Sequence, residues 1–208
     1  MNRHIIYFVV TLSALFLAGI LQWTVFAAAE SQSSIEQAFQ KAKKDYLEKN
    51  INSAAQQIQN GASFVKTQAE KASDKGKEKL DASARELEKL ADDVKKGTVT
   101  SVRKIEDAFA RAYEALAFDS HIKSTQSWAK KQTEKAGEAL DSANKYLERG
   151  FAWTGQKIET GTKEVIRKSD ELSKTLKKKG SVLAEDVGKG LKNAGDEIEK
   201  FGKKISPK

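Results

Sequence analysis

One apolar stripe with the period of an α-helix runs through the first half of this chain. Its members are about 3.6 residues apart, which is the period of a straight helix rather than the 3.5 of a heptad coiled coil. The chain's single proline, Pro207, does not interrupt it. The stripe therefore predicts long amphipathic helices and an all-α fold. It comprises Ile51, Ala55, Ile58, Ala62, Val65, Ala69, Ala72, Gly76, Leu80, Ala84, Leu87, Ala91, Val94, Thr98, Val102, Ile105, Phe109, Ala112 and Leu116.

Many stripe positions are alanine, so the stripe is thin. Beyond residue 29, Leu, Ile, Val and Phe together make up about 18% of the chain, just under the level typical of chains that bury a large core. Alanine favours helix but contributes little area to burial. The sequence thus specifies helix more strongly than it specifies a globule.

The first 29 residues, 1–29, differ sharply from the rest. Ile5 to Leu21 is an apolar run of 17 residues, and Ala27-Ala28-Ala29 resembles a signal-peptidase site. The run is also close to the roughly 20 residues that span a bilayer, so a retained anchor is the alternative to a cleaved signal peptide. Arg3 precedes the run and Lys41 is the next basic residue, so the positive-inside rule places the remainder outside the cytoplasm. We expect an exported protein, in the periplasm or extracellular space, or a membrane-anchored protein that faces outside the cytoplasm.

The stripe stops after Leu116. Residues 119–127 lose the periodicity and contain several residues that favour helix N-caps. We therefore predict a hinge or turn at 119–127 between two helical arms, 30–118 and 128–208, with bends in the second arm near residues 150 and 180. The expected architecture is an elongated helical hairpin or a bent helical array, preceded by an N-terminal hydrophobic export segment.

The net charge is +8, from 37 basic and 29 acidic residues, and the two signs are interleaved. Interleaved charge is typical of solvated helix faces that carry ion pairs between positions i and i+4. The basic excess also suits an anionic membrane surface or an acidic partner. Because there is no cysteine, disulfides, thiolate catalysis and zinc-thiolate sites are excluded.

No pattern of residues predicts catalysis. The two histidines are His4, in the export segment, and His121, at the predicted hinge. A histidine beside Asp119 without an organised pocket is more typical of a polar loop than of an acid–base pair. We predict no enzyme, no catalytic residue, no metal, no cofactor and no small-molecule substrate.

Seven of the chain's sixteen aromatic residues fall in one segment around the predicted hinge. They either pin the two arms together or form a surface that contacts lipid or a partner helix. Stacking on nucleic acid is a third use of aromatics mixed with lysine, but an exported chain rarely meets nucleic acid, so none is expected. These candidate contact residues are Phe109, Tyr113, Phe118, Trp128, Tyr146, Phe151 and Trp153.

Two segments carry a family resemblance: Lys71 to Leu80 (KASDKGKEKL) and Ala129 to Ala139 (AKKQTEKAGEA). They resemble the eleven-residue repeats of group 3 late-embryogenesis-abundant proteins and, more loosely, the amphipathic repeats of exchangeable apolipoproteins. The resemblance implies a hydrophilic chain that gains helix on drying or on contact with a surface and then protects membranes or proteins. Three tryptophans depart from those families, which are usually poor in them.

The predicted function is that of a non-catalytic, exported, amphipathic helical protein, stress-protective through contact with membranes or partner proteins. Its expected partners are an anionic membrane surface or partner helices. The alternative is a self-associating coiled-coil structural or spacer protein of the cell envelope, which would form a homo-oligomer.

Overall fold

The computed structural model describes residues 34–206, which form seven helices and contain no strand. The prediction of an all-α fold is confirmed. The predicted export segment, 1–29, lies outside the described residues. The helices are α1 (34–47), α2 (Ile51–Ala69), α3 (Asp74–Lys95), α4 (Val102–Ala129), α5 (Thr133–Thr154), α6 (Thr160–Lys177) and α7 (Ala184–Ile205).

One hydrogen-bond pattern ends four of these helices. After α3, Gly97 takes the left-handed conformation (φ 69°), its N–H donates to the Val94 carbonyl, and the Thr98 N–H donates to the Asp93 carbonyl. This Schellman arrangement satisfies the last carbonyls of a helix and turns the chain away from its axis. The same two bonds close α1, α4 and α6 with a lysine at the left-handed position, namely Lys49, Lys131 and Lys179.

The apolar stripe of the sequence is divided among α2, α3 and α4. The turns at 70–73 and 96–101 fold these helices back on one another, so Ile58, Leu87 and Ile105 are buried in one core cluster. The stripe thus finds its partner within the same chain. Helices that would be unstable in isolation are stabilised by packing against their neighbours.

The predicted hinge at 119–127 is wrong, because these residues lie inside α4. Its polar residues make contacts between helices instead of ending one. Asp119 accepts a hydrogen bond from the Ser73 backbone N–H (3.1 Å), and buried Ser124 donates its hydroxyl to the Ala136 carbonyl (2.7 Å). Residues typical of helix N-caps can also lie within a helix when a neighbouring helix satisfies them.

The described residues therefore do not form the two unbroken arms of an elongated hairpin. The chain reverses at 130–132 between α4 and α5, and turns at 155–159 and 178–183 divide the rest into α5, α6 and α7. The helices fold back on one another into an array in which α4 contacts α3, α5 and α7. No helix within residues 34–206 combines the length and the apolar character needed to cross a membrane.

Two apolar clusters hold this array. The larger one includes residues from all seven helices, whereas the smaller one joins α5, α6 and α7 and consists of Ala136, Leu140, Leu176, Val187, Leu191 and Ala194. Helix α1 runs antiparallel to α4, because Phe39 stacks on Phe109 while Tyr46, further along α1, donates its hydroxyl to Val99 just before α4. The turns at 48–50 and 96–101 consequently lie at the end of the array opposite the turn at 130–132.

The left-handed turn residues give a stability prediction. Replacing Gly97 by Ala should lower the free energy of unfolding by about 1 kcal/mol, because a Cβ strains the backbone at positive φ. No atom lies within 4 Å of that Cβ, so no clash adds to the strain. Lys49→Gly should raise it by a similar amount. Urea unfolding followed by circular dichroism measures both changes, with Lys96→Gly as the control: Lys96 has the right-handed conformation, so glycine there should not stabilise.

Candidate functional site

Five of the seven predicted contact residues lie in the core. Phe109 and Tyr113 are 0% exposed, and Tyr146, Phe151 and Trp153 are each 6% exposed. Phe118 and Trp128 are half-buried. The sequence prediction of an aromatic contact surface is therefore wrong for these five. Their positions agree with the alternative prediction, in which the aromatics pack between helices and hold them together.

The buried aromatics form a stack between α1, α4 and α5. The rings of Phe39 and Phe109 are parallel with centroids 3.8 Å apart, and Trp153 meets Phe109 edge-on at 5.0 Å. Phe151 contacts Phe201 of α7 at 4.2 Å. The clustering of aromatics in the sequence does not include Phe39 or Phe201, because Phe39 lies 70 positions before Phe109 and Phe201 lies 50 positions after Phe151.

Tyr113 joins the aromatic stack to a carboxylate. Its hydroxyl donates a short hydrogen bond to Glu36 of α1. Burial, together with the Glu36 carboxylate, raises the pKa of Tyr113 far above its usual value. The phenol therefore stays protonated and acts as a hydrogen-bond donor that holds α1 on α4.

A shallow cleft of about 410 Å³ lies between α3, α4 and α7. On its floor Lys79 donates to Glu114 (2.5 Å), and burial raises the pKa of the Glu114 carboxyl despite that ion pair. Arg111 binds both carboxylate oxygens of Glu86 and also donates to the Ile205 carbonyl at the end of α7 (3.1 Å). The charged groups of the cleft thus bind one another and the end of α7, which fixes the three helices in place.

His121 packs between α4 and α7 rather than in a polar loop. Its Nε2 lies 2.8 Å from the Leu191 carbonyl oxygen, and its ring fills the space over Gly195. Burial lowers the pKa of His121. The neighbouring carboxylate Asp119 is bound to Ser73 and to Lys123 (2.6 Å). The two side chains serve different helix contacts and do not form the acid–base pair that their sequence positions suggest.

Metal chelation has no candidate among the described residues. Within 34–206, no three His, Asp or Glu side chains converge closely enough to hold an ion.

One end of the array carries a cluster of lysines, which we call the basic end. It consists of the turns at 130–132 and 178–183 and the adjoining helix ends, and its lysines are Lys130, Lys131, Lys135, Lys177, Lys178 and Lys179. The two turns are adjacent, since Lys179 Nζ lies 3.3 Å from Glu134 Oε2. Leu183, at this end, is 72% exposed. No local pattern joins these lysines into one surface, because the lysine runs at 130–131 and 177–179 are more than 40 positions apart in the sequence.

Comparison of the chain with protein-family models, with curated proteins and with solved structures gives no significant match.

The aromatic stack gives a second prediction. Phe109→Ala should lower the free energy of unfolding by about 3–5 kcal/mol, because it leaves a cavity in the stack and removes buried apolar area. Phe118→Ala serves as the matched control and should cost clearly less, because Phe118 on the same helix is only half-buried. Equal effects of the two substitutions in urea unfolding would contradict the placement of Phe109 in the core.

His121 gives a prediction for pH. Because its folded-state pKa is lowered, the folded protein binds this proton less readily than the unfolded chain does. The contribution of neutral His121 to stability is present above the unfolded value of 6.5 and is lost as the pH falls from there through the lowered folded-state pKa. Substituting His121→Gln, whose amide can still bond the Leu191 carbonyl, should flatten the unfolding free energy in that window. An unchanged pH profile of thermal unfolding would refute this role.

Proposed function

We propose that this chain is a non-catalytic helical protein that is presented outside the cytoplasm and protects membranes by contact with their surface. The observation that carries the proposal is the exposed lysine cluster of the basic end on a bundle whose apolar residues are almost all buried. Among the described residues, Leu47 and Leu183 are the large hydrophobic side chains classed as exposed. Contact with a partner must therefore begin through the charged exterior.

The use of the reactive side chains supports a non-catalytic role. His121, Glu114 and Asp119 are the buried or half-buried groups that could act as an acid or a base. Each makes a hydrogen bond to another part of the fold: His121 to α7, Glu114 to α3, and Asp119 to the turn that precedes α3. A catalytic acid or base instead needs access to a substrate proton. Helix packing accounts for the shifted pKa values of His121 and Glu114 and for the positions of all three groups.

The packing also bears on how the protein would act. Late-embryogenesis-abundant proteins, which parts of the sequence resemble, are expected to gain helix on contact with a surface. Here the same segments belong to helices that already pack through a core, including Leu80 of α3 and Ala136 of α5. We therefore propose that the folded bundle makes the contact, with little change in its helix content.

The self-associating alternative receives less support. A stable coiled-coil partner needs an apolar seam, and obligate interfaces are as apolar as a protein core. The stripe that would supply that seam is used inside the chain, where Leu87 and Ile105 are both 0% exposed. Sedimentation of the full chain should give a monomer over a wide concentration range, whereas a concentration-dependent dimer would favour the alternative.

The protective role is tested with vesicles that are dried and rehydrated. Full-length protein should reduce leakage of an entrapped dye from vesicles that contain anionic lipid, because bound bundles keep neighbouring bilayers apart. The far-UV circular dichroism spectrum should be helical before vesicles are added and should change little afterwards. Leakage equal to that of vesicles dried without protein would refute the protective role, and a spectrum that changes from coil to helix on vesicle addition would refute the folded mode of action.

A further inference from the structure

The lysines of the basic end come from two turns that are remote in sequence and adjacent in space. Lys179 pairs with Glu134, and the backbone of α6 at Ser173 and Lys177 approaches Gly137 so closely that a Cβ at Gly137 would lie 2.7 Å from the Ser173 carbonyl oxygen. Helices α5 and α6 are therefore in direct backbone contact here. This contact fixes six lysines in one surface.

An apolar side chain projects from the same surface. Leu183 is 72% exposed, and the neighbouring Val182 and Trp128 are half-buried against the smaller core cluster. A leucine exposed to water gains nothing from the bundle, but it gains stabilisation when it enters the headgroup region of a bilayer. Tryptophan is likewise enriched at membrane interfaces, where its apolar ring and polar N–H are both accommodated.

The charges of the basic end favour an anionic rather than a neutral partner. Two of the six lysines are paired, Lys179 with Glu134 (3.3 Å) and Lys177 with Asp141 (3.1 Å), and the acids Glu138, Glu185 and Asp186 also lie near this end. The charge open to a partner is therefore that of the exposed lysines at 130, 131 and 178, which form no ion pair within residues 34–206. Lysines close to an anionic leaflet are each attracted to it, and the attraction is lost when salt screens the surface.

The direction of α1 relates the basic end to the N-terminal apolar run. Because α1 is antiparallel to α4 and Glu36 bonds Tyr113, α1 begins on the side that faces the basic end. Helix α4 continues sixteen residues beyond Tyr113 to Ala129, roughly 24 Å at 1.5 Å per residue. The twelve residues between Leu21 and Ser34 can extend over roughly 40 Å. An apolar run inserted in a bilayer can therefore lie beside a basic end that rests on the same bilayer.

We propose that the basic end docks on the surface of an anionic lipid bilayer, with Leu183 inserted among the headgroups and the lysines bound to anionic lipid. The proposal rests on the proposed function, since it names the part of the protein that makes the membrane contact. The long axis of α4 then points away from the membrane. The opposite end of the array, with the turns at 48–50 and 96–101, faces the solvent.

The chain contains no cysteine, so a single fluorescent probe can report on each end separately. Leu183→Cys and Leu47→Cys are a matched pair, because Leu47 is 58% exposed and lies at the opposite end. Each full-length variant, labelled with an environment-sensitive probe, is reconstituted in vesicles of phosphatidylcholine alone or mixed with phosphatidylglycerol. We expect the emission of the probe at residue 183 to shift to the blue and to be quenched by a lipid-borne quencher, but only in anionic vesicles. High salt should reverse both changes, and the probe at residue 47 should show neither.

Charge substitutions test the lysines. The triple variant Lys130→Gln, Lys131→Gln and Lys178→Gln should lower the docking equilibrium constant of the residue-183 probe about a hundredfold, since each lysine near an anionic leaflet contributes about a factor of five. Its control neutralises Lys49, Lys95 and Lys96 by the same change to Gln. Like the first set, these lysines lie at helix ends and include one left-handed residue, Lys49. The control should leave docking unchanged.

The outcomes separate this inference from the proposed function. No probe response at residue 183, an equal response at residue 47, or docking that is indifferent to both anionic lipid and the triple substitution overturns the docking of the basic end. If the full chain still protects dried vesicles in any of those cases, the proposed function stands and another surface or an acidic protein partner makes the contact. If vesicle protection itself is absent, the proposed function fails.

Discussion

The burial of the middle of α4, residues 112–117, on all faces is the constraint on which the rest of the array depends. Six consecutive residues, 112–117, are all buried, which a helix achieves only when neighbours cover its whole circumference. Small side chains make this possible, because Ala108, Ala110 and Ala117 let neighbouring helices come close. The large groups on α4, Phe109 and Tyr113, then reach α1 and α5. Alanine contributes little area per residue, but here it brings many surfaces into contact.

That use of alanine explains what the sequence could and could not predict. The 3.6-residue period correctly predicts helix, because burial of one face leaves that period in any helix of a bundle. The period does not reveal that Ala110 and Ala117, which lie off the stripe, are also buried. The stripe alone offers too little area for a globule, but together with these off-stripe alanines it belongs to a folded array. Of the two predicted arrangements, an elongated hairpin or a bent helical array, the described residues do not form the hairpin. The hinge was misplaced at 119–127 for a related reason: the cap-like residues Asp119 and Ser124 are satisfied by Ser73 and Ala136, which are distant in sequence.

For the candidate sites too, the sequence shows which residues are neighbours along the chain but not which distant residues they contact. The seven aromatic residues were identified from their clustering in sequence, but their burial depends on partners such as Phe39 and Phe201, whose proximity no local pattern reveals. The sequence predicts a bend near residue 180, and a helix does end there, since α6 stops at Lys177 and Lys179 takes the left-handed conformation. The lysines at 177–179 become part of the basic end only because the fold brings the turn at 130–132 beside them. Helix C-termini favour lysine in any protein, so the joint surface and its exposed leucine distinguish this end, not the lysines alone.

The energetics of packing favour the proposal that the protein makes contact already folded over one in which it folds on contact. Releasing α1 from α4 would expose Phe39 and Phe109 and would leave Tyr113 and Glu36 without their mutual hydrogen bond, a loss of several kcal/mol. A lysine at an anionic membrane surface contributes about 1 kcal/mol. Unpacking the larger core cluster on a membrane would thus cancel the binding free energy of several lysines. Docking of a preformed end leaves that core packed and loses none of this free energy. The smaller cluster of α5, α6 and α7 contains no aromatic residue among its buried members, so any rearrangement on a membrane would begin there, at the basic end, before it reached the aromatic stack.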